Sequence, residues 1–101
     1  MKLEQNEGYK MLIDAILSLK NEEEVELFLE DLMTRKEISD AAQRMLVAKL
    51  LSEKVVYSKI AEETGASTAT ISRVNRSYQY GTGAYRKVLE RIEDKKQEEI
   101  K

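Results

Sequence analysis

The stretch GASTATISRVNRSYQYGTG, residues 65–83, combines small hydroxyl residues with two arginines and two tyrosines. It contains no carboxylate, although Asp and Glu make up 19 of the chain's 101 residues. Those side chains share one chemistry. Hydroxyls exchange hydrogen bonds with phosphate oxygens and base edges, guanidinium forks match anionic oxygens, and an acidic neighbour would repel both partners. The rest of the charge follows the same division. Residues 1–53 carry 7 basic and 12 acidic side chains (net -5), residues 54–91 carry 7 and 3 (+4), and residues 92–101 carry 3 and 4 (-1). A basic segment on a chain of overall charge -2 suits a protein that meets a polyanion with one face while the rest stays solvated. Chance fluctuation in solvated charge is the bland alternative.

Other chemistries are poorly supplied. With no Cys and no His, the chain lacks disulfides, thiolate nucleophiles, the commonest zinc ligands and the usual neutral-pH general base. An enzyme would need a carboxylate, Lys or Tyr catalyst, and no carboxylates cluster beside the basic segment, so no catalytic residue, metal site or cofactor is expected. No apolar run approaches the roughly 18 residues of a membrane span. The start MKLEQNEGYK lacks the apolar core of a signal peptide, which predicts a cytoplasmic protein with no membrane partner.

The elements that must carry the basic segment are helical. Four Gly and no Pro in 101 residues leave little to interrupt helices, so the fold class is all-α, with a single domain over 1–95 and a frayed tail over 96–101. Met11, Leu12, Ala15, Ile16 and Leu19 form one stripe of a helix from about 5 to 20. Asn21 is placed to cap a second helix whose first turn holds Glu22, Glu23 and Glu24 and whose buried face is Val25, Phe28, Leu29 and Leu32. Thr34 and Glu37 form a capping-box pattern. The helix after them is apolar around much of its circumference, at Ala41, Ala42, Met45, Leu46, Val47, Ala48, Leu50 and Leu51. That breadth implies packing on several sides, a second subunit included. A chain of this size buries a modest core, which also favours a dimer. A last helix is expected from about 84 to 95, with Val88, Leu89 and Ile92 inward.

Between these lie YSKIAEET, a GA turn and STATISRVNRSY, the spacing of a helix-turn-helix over about 57–78. Gly65 supplies the left-handed turn, and Ser67 or Thr68 the second helix's cap. Ile60, Ala61, Ile71 and Val74 are expected to hold the pair together. In such a motif the second helix enters the major groove N-terminus first. Ser67, Thr68, Ala69, Thr70 and Ser72 then suit close approach to DNA, Arg76 reaches the backbone, and Tyr57, Ser58 and Lys59 join them from the first helix. Gly81 and Gly83 end the second helix, and packing is expected of Tyr78, Tyr80 and Tyr85. The competing reading is a surface helical hairpin whose Ser and Thr only cap.

Residues 34–89, and TGASTATISRV followed by YGTGAY in particular, resemble the Trp repressor family and are similar to its YerC/YecD-type branch. The N-terminal helices resemble it more loosely. The resemblance implies an intertwined all-helical homodimer whose two helix-turn-helix heads contact successive major grooves of a near-palindromic operator. It also implies a small-molecule corepressor between the central and recognition helices, near Met33, Thr34, Arg44, Thr70, Arg73, Val74 and Ser77. Arg44 and Arg73 match the two ligand-gripping arginines, Thr34 the turn threonine, Thr70 a recognition-helix threonine, and Ser77 a serine near the ligand's amino group. The alignment needs a one-residue deletion near EKVVYS. Val74 stands where the family has a glycine beside the ligand, and its branched side chain argues against tryptophan. Arg44 and Arg73 have a structural reading too, paired with Glu37, Asp40 or another subunit's carboxylates.

The leading expectation is a dimeric, sequence-specific DNA-binding transcriptional regulator, a repressor modulated by a small effector. The alternative is a helical dimeric protein-interaction module that does not read DNA and uses its acidic N-terminal half as the active surface.

Overall fold

The computed structural model describes residues 2–100. Among them are a short 3-10 turn (Leu3–Gln5) and six α-helices: α1 (Glu7–Ser18), α2 (Glu22–Leu32), α3 (Arg35–Ser52), α4 (Tyr57–Thr64), α5 (Thr68–Tyr80) and α6 (Ala84–Ile100). No strand occurs among the described residues, and no helix there is long and apolar enough to cross a membrane. The chain divides into two compact units, Met1–Ile38 and Ser39–Lys101.

The first unit is defined by its helix starts. Asn6 accepts a hydrogen bond from the Tyr9 amide (3.0 Å) and Asn21 from the Glu24 amide (2.9 Å), satisfying donors that a helix leaves unpaired in its first turn. Thr34 and Glu37 complete the reciprocal box: the Glu37 amide donates to Thr34 Oγ1 (3.1 Å) and the Thr34 amide donates to Glu37 Oε1 (2.9 Å). Hydrogen bonds to the carboxylate from the Thr34 amide first, and from the Thr34 side chain second, favour its ionised form and lower the Glu37 pKa from its usual 4.5.

Burial in this unit departs from the sequence expectation. Neither α1 nor α2 has a buried residue. Leu12, Ala15, Leu19, Phe28 and Leu29 are half-buried. Met11 (66% exposed), Ile16 (50%), Val25 (38%) and Leu32 (51%), all expected inward, lie open. The physical reason is size, since a unit of under about 40 residues has too little interior to enclose two amphipathic faces.

The second unit holds the core. Val47, Ala48 and Leu50 on α3 meet Ile60 on α4, Ala66 in the turn, and Ile71 and Val74 on α5. Leu51, Val55, Tyr57, Ala61, Tyr85 and Leu89 pack around them. Of the broad apolar surface expected on α3, Leu46 stays 43% exposed. On α6 Leu89 is half-buried, whereas Val88 (41%) and Ile92 (44%) face out, contrary to expectation. The helix also runs to Ile100 instead of ending near Lys95. Lys96, Gln97, Glu98 and Glu99 are strong helix formers, no Gly or Pro follows them before Ile100, and Gln97 Nε2 donates to Glu93 Oε1 (3.2 Å). The expected tail's last residue, Lys101, and the first residue of the expected domain, Met1, lie outside the described residues.

Two left-handed residues frame the core. Gly65 ends α4 with φ +73°, donating its amide to Ala61 O (2.9 Å). Lys54 ends α3 with φ +61°, in a turn where the Val55 amide donates to Leu50 O (3.1 Å) and the Lys54 amide to Leu51 O (3.0 Å). That pair of bonds is a Schellman motif with lysine where glycine is usual. The left-handed conformation costs a non-glycine residue about 1 kcal/mol. Lys54→Gly is therefore expected to raise the midpoint of chemical unfolding, and Gly65→Ala to lower it, each by about 1 kcal/mol of stability. The Glu37 cap predicts a pH signature as well. The stability that wild type holds over Glu37→Ala should be fully present above pH 4.5 and fade as the pH falls through the lower folded-state pKa, read as converging thermal midpoints.

Candidate nucleic-acid interface

The helix pair is positioned on α3 by packing and by one polar tether. Ile60 and Ile71 are fully buried against Val47 and Ala48, and Gln43 Nε2 on α3 donates to Thr64 O at the end of α4 (3.1 Å). Thr64 then organises the turn. Its Oγ1 donates to Ile60 O (2.7 Å) and accepts from the Ala66 amide (3.1 Å), so a helix end that would otherwise present open carbonyls is closed locally. Neither Gln43 nor Thr64 stands out in the sequence, because a tether across 21 residues leaves no local pattern.

Ser67 caps α5. Its Oγ accepts from the Thr70 amide (3.1 Å) and donates to Thr70 Oγ1 (3.0 Å). Two of the hydroxyls expected at a groove are thus joined to each other, and Thr70 is half-buried. Thr68, Ala69, Ser72, Arg73 and Arg76 are exposed, while Ile71 and Val74 are buried and Tyr78 half-buried. At about 100° per residue the exposed set falls within one half of the helix circumference and the packed set within the other. The outward half carries hydroxyls, an amide and two guanidiniums.

The chain on either side of it is free of carboxylates. None occurs in the sequence over 64–89, a span that contains Arg73, Arg76, Arg86 and Lys87. Arg86 joins α6 to the end of α5, its guanidinium 4.2 Å from the Tyr78 ring centre and its Nε donating to Tyr78 O (3.3 Å). Gly81 stops α5, where a Cβ would run into the Ser77 carbonyl. From α4, Ser58 and Lys59 are exposed. Lys59 lies 3.7 Å from Glu63, and Tyr57 is half-buried against the core.

The residues expected around an effector divide between the units. Met33, half-buried, and Thr34, exposed, belong to the first. In the second, Arg44, Arg73 and Ser77 are exposed, Thr70 is half-buried, and Val74 is 3% exposed within the core. Of the two places the sequence suggested for Val74, the structure shows the one between the helices. Ser77 lines a cleft of about 420 Å³ with Met45, Gly81, Thr82, Ala84, Tyr85 and Val88. The tyrosines separate as well. Tyr78 and Tyr85 are half-buried as expected, whereas Tyr80 is 82% exposed and packs on nothing comparable.

Comparison with known proteins bears on this geometry. The family described as Trp repressor protein matches residues 7–93. The uncharacterized protein YerC of Bacillus subtilis (strain 168) is 47% identical over 96 residues, 93% of this chain and 92% of its own length. Two crystal structures superpose closely. A TrpR-like protein from Eubacterium eligens ATCC 27750 has a TM-score of 0.83 and 52% identity, covering 86% of this chain and 90% of its own. A putative Trp repressor from Staphylococcus aureus has a TM-score of 0.84 and 45% identity, covering 92% and 95%. The fold is that of a regulator and not of an enzyme. With its helix-turn-helix, its carboxylate-free α5 face and a family match across most of its length, the chain belongs to the Trp repressor family.

Proposed function

We propose that the protein is a homodimeric, sequence-specific DNA-binding transcriptional regulator that acts in the cytoplasm by occupying a near-palindromic operator and blocking promoter access. The observation that carries this reading is the outward face of α5: Thr68, Ala69, Ser72, Arg73 and Arg76 exposed together on a short helix whose opposite face is bound into the core. Small side chains at the helix start permit close approach to base edges. The arginines farther along meet phosphate, where neutralisation releases counterions and supplies much of the affinity.

Dimerisation is supported by the unburied apolar surface of α1 and α2, which includes Met11, Leu17 and Leu27 at 66, 77 and 55% exposure. A two-fold dimer would cover that surface and present two α5 helices to successive major grooves. Arg44 and Arg73 are exposed guanidiniums suited to a carboxylate-bearing effector.

Genomic fragment selection on purified protein, with and without a pool of amino acids and other small metabolites, tests the reading. Enrichment of a near-palindromic motif is expected, and dependence on one metabolite would name the effector. No enrichment under any condition would leave a protein-interaction module using the acidic N-terminal unit. On the selected operator, Arg76→Ala should weaken binding to all sequences alike and reduce the slope of log affinity against log salt by about 1. Thr68→Ala should instead change base preference at one position of each half-site while leaving the salt slope as it is, read by competition binding on single-base operator variants.

A further inference from the structure

Tyr80 is the feature of the α5 face that packing leaves unexplained. It is the most exposed large apolar or aromatic side chain of the described residues at 82%, although Tyr78 two positions earlier is half-buried under Arg86. Its azimuth on α5 is within about 20° of Ala69 and Arg73 and about 40° of Arg76, so it continues the outward face and does not border the core.

Building on the DNA-reading function proposed above, we propose that Tyr80 is a DNA-backbone contact, its hydroxyl donating to a phosphate at the rim of the half-site and its ring lying against the adjoining sugar. Depth decides which part of DNA it meets. The major groove is about 8.5 Å deep, a depth spanned by about six residues at 1.5 Å each. A helix entering N-terminus first places residues 68 to 73 within the groove and Arg76 where the phosphates stand; Tyr80 starts about 10 Å beyond residue 73 along the axis, and its long side chain leans back toward the helix N-terminus and so toward the rim.

Charge decides the occupant. A helix C-terminus carries the negative end of the backbone dipole and by itself disfavours phosphate. Here that end is offset by cations. Arg76 lies one turn before Tyr80, and Arg86 donates directly to the Tyr78 carbonyl in the last turn. Glu53, Glu90 and Glu93 line a cleft with Tyr78 and Arg86, on the side of α5 about 160° from Tyr80, so these carboxylates lie behind the face that carries it. A neutral donor and flat ring on the same face as Arg76 suit a sugar-phosphate chain better than an apolar protein surface. The glycine turn that follows, with Gly81 tight against Ser77 O, also fixes where the helix ends and therefore how far Tyr80 projects.

The test uses the full-length protein and its selected operator, with Tyr80→Phe and Tyr80→Ala. Both substitutions lie on the surface, so thermal unfolding should match wild type. Removing one hydrogen bond to a charged group should lower affinity about tenfold in Tyr80→Phe, with a further loss in Tyr80→Ala. The loss should be equal on operator and scrambled duplex, and the salt slope unchanged, because tyrosine displaces no counterion. Ethylation interference should disappear at one phosphate per half-site in Tyr80→Phe. Wild-type affinity in both variants would overturn the inference. So would a loss confined to Tyr80→Ala that tracks dissociation of the dimer in sedimentation, which would place the ring on a second copy. Failure of the wild type to bind any duplex would overturn the DNA-reading function itself, a result distinct from either.

Discussion

The clamp that fixes α4 and α5 on α3 is what the rest of this molecule depends on. Seven buried side chains, all apolar, hold three helices and a turn together, with Val47, Ala48, Ile60 and Ile71 fully excluded from solvent. Such burial contributes about 1.5–3 kcal/mol for each large aliphatic side chain, so the placement of α5 rests on a handful of contacts. The polar elements refine what packing sets. Gln43 holds the end of α4, Thr64 closes the turn, Ser67 starts α5, and Arg86 ties its far end to α6. Each acts within hydrogen-bond distance of the helix pair. Together they determine the direction in which five exposed side chains point.

The two units solve the problem of small size differently. Residues beyond 38 build a true interior where α3, α4 and α5 meet, whereas α1 and α2 are specified almost wholly by their ends. Asn6 and Asn21 start helices whose apolar faces find no complete cover within their own unit. Apolar surface of this extent is seldom left open in a monomer, and it is what the proposed dimer would cover.

What was legible in the sequence is what is local. Caps at Asn21, Thr34 and Ser67, the left-handed Gly65 and the stop at Gly81 each require only a residue type and its neighbours within four positions. The existence of the helix-turn-helix followed from those signals, and the family resemblance agreed with them. What depends on distant neighbours was misread. Met11, Ile16, Val25, Leu32, Val88 and Ile92 lie on helical stripes, but a stripe states only that a surface is apolar and not whether this chain covers it. Tyr78 and Tyr80 illustrate the same limit within three residues. One meets Arg86 from α6 and the other meets solvent, a difference of azimuth whose meaning appears only once α6 is in place. Nor did composition show that Ser67 and Thr70 bond to each other. A hydroxyl needed at a cap and a hydroxyl free for a ligand are the same residue in a sequence.

The division of α5 into a packed half and a bare half has an evolutionary consequence. Ile71, Val74 and Tyr78 answer to the core, while Thr68, Ala69, Ser72, Arg73 and Arg76 touch little of it, so the outward set can drift or be exchanged at little cost to folding. Gene duplication followed by change at those few positions would give paralogues that share a scaffold and address different promoters. The inward set would meanwhile keep the helix at one fixed tilt.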